Sequence, residues 1–150
     1  IAYWPRAIKK GGAITREVPQ FAPEEYVAHQ DDATRATADW IQENATRPDL
    51  VLLDARTTDE YAQGHIPGAV NLAWDSALVM QTQMFKDAAT LRAQLAAVGA
   101  TPDKEIVAYC AAGARSAHLF TTLQLLGYPR ARNYEGSMND WYRVRGLPVE

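Results

Sequence analysis

Residues 105–116 read EIVAYCAAGARS, and this segment gives the strongest indication of the fold class of the chain. Its first five residues are mostly apolar, which is typical of a strand buried on both faces of a parallel sheet. The small residues after Cys110 predict a tight loop, and a helix predicted over 115–126 follows at once. Strand, loop and helix in this order indicate an α/β domain, in which functional side chains follow the carboxyl ends of strands.

The same alternation of strands and helices continues on both sides of this segment. Besides the strand over 105–109, the pattern predicts strands over 50–53, 69–72 and 132–134. It predicts helices over 31–46, 57–63 and 87–98, a short helix from Pro23, and a last helical turn over 138–143. We therefore expect a mostly parallel central sheet of about five strands flanked by helices.

Length and charge limit the class of protein. A chain of 150 residues fits one domain, which we assign to residues 21–150, and residues 1–20 show no sustained period and indicate an arm or linker. A net charge of −3 gives no reason to expect nucleic acid or an anionic membrane surface as a partner. No apolar run approaches the ~20 residues that span a bilayer, so we expect no membrane association.

The N-terminus and the compartment stay open. The chain begins with Ile1 instead of methionine, which indicates a processed N-terminus or a fragment of a longer protein. The cytoplasm and export after processing are both compatible with this sequence.

The cysteine content narrows the chemistry further. Cys110 is the single cysteine, which excludes an internal disulfide and a cysteine-rich zinc site, and the three histidines lack the spacing of metal ligands. We expect no metal. A free cysteine is most often a small buried apolar residue. Its position at a strand end, before a loop of small residues, favours a nucleophile.

The loop after Cys110 indicates how that nucleophile is activated. Small residues allow the loop to curl, so that several backbone N–H groups point at one place, and the following helix adds positive potential. A thiol held there ionises near neutral pH. Arg115 either supplies a fixed charge for an anionic substrate or makes a structural contact that holds the loop in place. Ser116 either caps the helix or contacts the sulfur. The candidate active-site loop is therefore Ala111, Ala112, Gly113, Ala114, Arg115 and Ser116.

Three motifs in order resemble the rhodanese superfamily, and the likeness extends from Phe21 to Glu150. The first signature lies in 52–56, 60–61 and 64–71, the active-site loop in 110–115, and the closing segment in 134–137 with Trp141 and 147–150. The resemblance implies a rhodanese-like fold and a thiosulfate sulfurtransferase that carries sulfur as a persulfide on Cys110. It implies a small sulfur donor, a thiol or cyanide as acceptor, and no cofactor.

The details of the loop refine this resemblance. Relatives that use mercaptopyruvate usually carry a hydroxyl residue in the loop and end it with Val-Thr, whereas this loop ends in Arg115. The chain is more similar to the catalytic, C-terminal domain of tandem-domain bacterial thiosulfate sulfurtransferases, which implies a second rhodanese domain as a candidate partner. Those relatives often place a donor-binding arginine where this chain has Glu60. Asp54 and Arg56 either brace the active-site face or contact the substrate.

Two other classes of function compete with this hypothesis. One is a sulfur carrier or interaction module with little turnover of its own, including a catalytic half that needs its partner domain. The other is a phosphatase or arsenate reductase, which the loop length disfavours because cysteine phosphatases have one more residue between cysteine and arginine.

Overall fold

The computed structural model describes Val18, residues 20–23, Glu25, Val27 and residues 32–150. The arm predicted over residues 1–20 lies outside these residues except at Val18 and Gln20, and the helix predicted from Pro23 lies largely outside them.

Six strands occur in the described part of the chain. They are β1 (Leu50–Asp54), β2 (Val70–Asn71), β3 (Leu78–Val79), β4 (Met84–Phe85), β5 (Glu105–Tyr109) and β6 (Ala131–Asn133). Four of them form a parallel sheet in the order β2-β1-β5-β6. All five residues of β5 are buried, as expected for a strand with neighbours on both edges and layers on both faces. The mostly parallel sheet predicted from the sequence is confirmed.

Two features of the sheet differ from expectation. It has four strands instead of about five, because next to β6 the chain makes only one bridge, between Arg35 and Asn133. The antiparallel hairpin of β3 and β4 was also not predicted. These strands have two residues each, too short to show a period of two.

Among the described residues, four α-helices cover the sheet, together with a π-helix near the end of the chain. They are α1 (Ala38–Asn44), α2 (Thr58–Ala62), α3 (Ala88–Ala97) and α4 (Ala114–Leu125), and the π-helix spans Asn139–Val144. Polar residues cap the first three: Thr37 accepts from Trp40 N–H, Thr57 forms a capping box with Glu60, and Asp87 accepts from Thr90 N–H. Among the described residues, no helix is both long enough and apolar enough to span a membrane.

The helix predicted over 31–46 is wrong in its first half. The chain instead forms a short 3-10 turn at Asp32–Thr34 and begins α1 only at Ala38. Between them the Ala36 N–H donates to Asn133 O at 3.0 Å, which draws this backbone to the edge of the sheet. The local pattern of apolar residues cannot predict a hydrogen bond to a strand 97 residues away in sequence.

The two faces of the sheet carry separate cores, because neighbouring residues of a strand point to opposite sides. Leu53 and Ala108 pack with α3 and α4, while Leu52 and Val107 pack with α1 and the π-helix residue Trp141. In the register of β1 and β5, Asp54 lies opposite Tyr109. Asp54 and Cys110 therefore lie at the same edge of the sheet, where the strands end.

Candidate active site

The Cys110 side chain lies directly beyond the carboxyl end of β5. It is only 2% exposed, and Gly113 N–H donates to its Sγ at 3.2 Å. Gly113 is also the N-cap of α4, and it supplies no side-chain acceptor for the first N–H groups of that helix. Uncapped N–H groups at a helix start bind anions, so this end of α4 is arranged to hold a negatively charged sulfur.

The surroundings of Cys110 favour the thiolate. Burial acts to raise the pKa of the thiol, but hydrogen bonds from the backbone N–H groups of Ser116 and Ala112 lower it, and the net pKa is below the ordinary value. The thiolate is thus more stable in the folded chain than in the unfolded one. Its contribution to stability is present above the unfolded pKa and is lost as pH falls through the folded pKa.

We therefore expect the thiolate absorbance of the folded protein to titrate below the ordinary cysteine pKa of about 8.5. The ultraviolet absorbance of the folded chain, followed against pH, measures this. The chain unfolded in urea is the control and should titrate near the ordinary value. Coincident titration curves for the two states would contradict the stabilisation of the thiolate by the backbone N–H groups of the loop.

Residues 134–139 form a second segment that contacts the active-site loop through hydrogen bonds. Cys110 N–H donates to Ser137 Oγ at 3.0 Å, and the Ser137 hydroxyl donates to Tyr134 O at 2.8 Å. Met138 N–H donates to Cys110 O and Asn139 N–H to Ala111 O, each at 3.0 Å. Ser137 is fully buried, with a φ of +52°. Ser137 lies in the closing segment of the predicted motifs, but its contact with the loop could not be predicted, since no local spacing relates two residues 27 positions apart.

Gly113 is required by both its backbone and its surroundings. Its φ is +92°, and a Cβ atom there would lie 2.8 Å from Glu135 O. Only glycine allows the loop to curl this tightly against the segment behind it.

Gly113→Ala should therefore lower the stability of the folded chain and displace the backbone N–H groups that surround Cys110 Sγ. Gly127 is a matched control, because its φ is +79° but no atom lies within 4 Å of the added Cβ. We expect Gly113→Ala to lower the free energy of unfolding by about 1–3 kcal/mol more than Gly127→Ala, owing to the steric overlap. Urea unfolding of both variants measures this difference, and equal losses would show that the backbone angle alone matters.

Arg115 and Ser116 both make hydrogen bonds within the protein, and a contact of either with the substrate or the sulfur stays a prediction. Arg115 donates to both carboxylate oxygens of Glu60, Nη1 to Oε2 at 2.6 Å and Nη2 to Oε1 at 2.8 Å. The hydrogen bond from Arg115 lowers the pKa of Glu60 to about 2, so this carboxylate stays charged. The Ser116 hydroxyl donates to Gly113 O at 2.8 Å and closes the loop.

Asp54 and Arg56 form a buried pair that braces the same edge. Asp54 is fully buried, and Arg56 Nη2 donates to Asp54 Oδ2 at 2.6 Å and to Gly64 O at 2.7 Å. The Arg56 backbone N–H also donates to Asp54 Oδ1 at 2.9 Å. Asp54 is therefore occupied by Arg56, while Arg56 reaches the wall of the neighbouring cavity.

A cavity of about 530 Å³ opens beside the loop. Of the loop residues, Ala111 and Ala112 line it. Its walls also include Arg56, Glu60, Met138, Tyr142, Arg143 and Val149. Among the described residues, no group of three or more His, Cys, Asp or Glu side chains is placed to hold a metal ion.

Comparison with known proteins places this geometry in context. Residues 37–144 match the family profile of the rhodanese-like domain. The chain is 36% identical over 163 residues to the sulfur carrier protein TtuD of Thermus thermophilus, covering 95% of this chain and 57% of the relative. It is 32% identical over 154 residues to a thiosulfate sulfurtransferase of Pseudomonas aeruginosa, covering 97% and 56%. The chain thus spans about half the length of these curated relatives.

Solved structures show the same fold. The anaerobic ergothioneine biosynthesis enzyme from Chlorobium limicola superposes on 98% of this chain with a TM-score of 0.85, at 21% sequence identity and over 39% of its own length. At that identity the likeness is one of fold alone.

Proposed function

The chain belongs to the rhodanese-like domain family, and we propose that it is a sulfurtransferase that carries a sulfane sulfur as a persulfide on Cys110. The observation that carries the proposal is the position of Cys110 Sγ, at a strand end, 3.2 Å from the Gly113 N and beside the uncapped start of α4. A persulfide is anionic at neutral pH and has its charge on the outer sulfur. Backbone N–H groups gathered around the cysteine suit such a charge.

The first half of the reaction loads the enzyme. The Cys110 thiolate attacks the outer sulfur of thiosulfate, forming a new sulfur–sulfur bond. The original sulfur–sulfur bond of thiosulfate breaks, and its electron pair leaves with sulfite. The outer sulfur stays on Cys110 as an anionic persulfide.

The second half of the reaction removes the outer sulfur from Cys110. A nucleophile such as cyanide or a thiolate attacks the outer sulfur of the persulfide. The bond between this sulfur and Sγ breaks, its electron pair returns to Cys110, and the thiolate is regenerated. Electrons balance over the cycle without an added oxidant or reductant, so this chain's residues need only activate, hold and release sulfur.

Thiosulfate is the donor that we propose. Support comes from the all-alanine and glycine interior of the loop and from relatives named thiosulfate sulfurtransferase at 32–33% identity. Glu60 occupies the position where such relatives often have a donor-binding arginine, and it holds Arg115 in this chain.

Intact mass spectrometry tests the proposal. Incubation with thiosulfate should add the mass of one sulfur atom to the whole chain, and later addition of cyanide should remove it. Peptide mapping should place the added sulfur on Cys110. A chain whose mass does not change with thiosulfate would refute thiosulfate as donor, and the same experiment with other sulfane donors would then test the persulfide itself.

A second candidate is a sulfur carrier, or the catalytic half of a tandem rhodanese that works fully only with its partner domain. It is favoured by the relative named sulfur carrier protein and by the half-length match to curated relatives. In that case the persulfide forms, but discharge to small acceptors is slow until a second rhodanese domain is added. Turnover measured with and without that domain separates the two candidates.

A further inference from the structure

The charges around the cavity are unequally compensated. Arg56 is paired with Asp54, and Arg115 is paired with Glu60. Arg143 lines the same cavity, and among the described residues no carboxylate lies within ion-pair distance of it. The charged residues of the cavity lining are Arg56, Glu60 and Arg143, and of these three only Arg143 has no ion-pair partner among the described residues.

The fold places Arg143 near the loop but not at the sulfur. The π-helix begins at Asn139, whose N–H donates to Ala111 O at 3.0 Å, and Arg143 lies about one turn further along it. The same cavity is also lined by Met138, Tyr142 and Val149. Tyr142 is 56% exposed, although large aromatic side chains are usually more buried.

The sulfur donor does not account for this arrangement. Thiosulfate carries its sulfonate directly on the sulfur that it delivers, so its charge lies over the loop amides when that sulfur meets Cys110. A cavity of about 530 Å³ has the size of a site for an organic ligand and far exceeds thiosulfate. The cavity, the exposed ring and the free guanidinium fit a longer molecule whose anionic group is remote from its reactive end.

We infer that Arg143 determines acceptor specificity, by binding the carboxylate of a peptide-sized thiol whose body lies against Tyr142 and Val149. The inference rests on the proposed sulfurtransferase function and names the acceptor class of the same site. The acceptor thiolate attacks the outer sulfur of the Cys110 persulfide and leaves as its own persulfide, while the electron pair of the broken bond returns to Sγ. A guanidinium binds a carboxylate through two parallel hydrogen bonds, which fixes the thiol end toward the loop.

Acceptor kinetics of the whole chain test this, with thiosulfate as donor. The probes are glutathione and its diethyl ester, which has the same thiol but no free carboxylate. For Arg143→Gln we expect the KM for glutathione to rise about tenfold or more, with kcat little changed, because a charged hydrogen-bonded contact is lost. The KM for the diethyl ester and the rate of persulfide loading should not change. Arg92→Gln, on the exposed face of α3, is the matched control and should behave as the unaltered chain.

A binding measurement separates this inference from the proposed function. S-methylglutathione cannot accept sulfur, so its dissociation constant, measured by calorimetry on unloaded protein, does not depend on the persulfide. It should weaken about tenfold in Arg143→Gln and not in Arg92→Gln. An absent persulfide with intact Arg143-dependent binding would refute the proposed function alone. Equal glutathione KM and S-methylglutathione binding in both variants would overturn the role of Arg143.

Discussion

Replacing Cys110 by serine is expected to reduce thiosulfate turnover to the rate without enzyme. A serine hydroxyl in the same place has a pKa far above that of the thiol, so the N–H groups of the loop cannot produce the anion that attacks sulfur. It also forms no persulfide. The variant should therefore show no added sulfur after thiosulfate, and no thiocyanate should form when cyanide is supplied.

The substitution tests chemistry only if the variant is folded. Serine is close to cysteine in volume, and the Cys110 backbone contacts with Ser137 and Met138 do not involve the sulfur. We expect a thermal unfolding midpoint near that of the unaltered chain. A folded Cys110→Ser protein that still turns over thiosulfate would show that another group carries the sulfur.

The largest loss of stability is expected for Asp54→Asn. Asp54 is fully buried and Arg56 is 7% exposed, so the change leaves a buried guanidinium without its counter-charge. Breaking one side of a buried ion pair costs about 3–5 kcal/mol. Urea unfolding should show this loss as a lower midpoint with an unchanged slope.

Asp49→Asn provides the comparison for that measurement. Asp49 also pairs with arginines, with Arg47 at 2.8 Å and Arg130 at 3.1 Å, but its side chain is 40% exposed. Water solvates the arginines when that carboxylate is lost, so the change in stability should be much smaller than for Asp54→Asn. Equal losses at the two positions would show that burial does not decide the strength of the Asp54–Arg56 pair.

The fold could be predicted largely from local patterns. Strand β5 has the predicted bounds, and α4 begins and ends one residue earlier than predicted. Here the apolar run, the small residues and the glycine after the helix all agree. The pattern failed where long-range contacts decide the structure, as at Arg35, whose segment joins β6 instead of a helix, and in the short hairpin of β3 and β4.

The candidate site divides in the same way. A strand that ends at a lone cysteine, followed by a loop of small residues, identifies Cys110 and its loop as the candidate nucleophile without any structure. The roles of the charged residues around it could not be predicted. The sequence leaves Arg115 open as a substrate ligand or a structural contact, and it does not indicate that Glu60, 55 residues earlier, lies 2.6 Å from it.

The parallel sheet, the position of Cys110 beyond β5 and the family of the domain could be inferred from local patterns, since these depend on residues adjacent in the chain. The folded structure adds that Ser137 hydrogen-bonds to the loop, that Arg56 and Glu60 of the cavity lining have ion-pair partners, and that Arg143 has none among the described residues. A charge is neutralised by the groups that lie within a few ångströms of it. These distances join residues that are tens of positions apart in the sequence, so no local pattern predicts them.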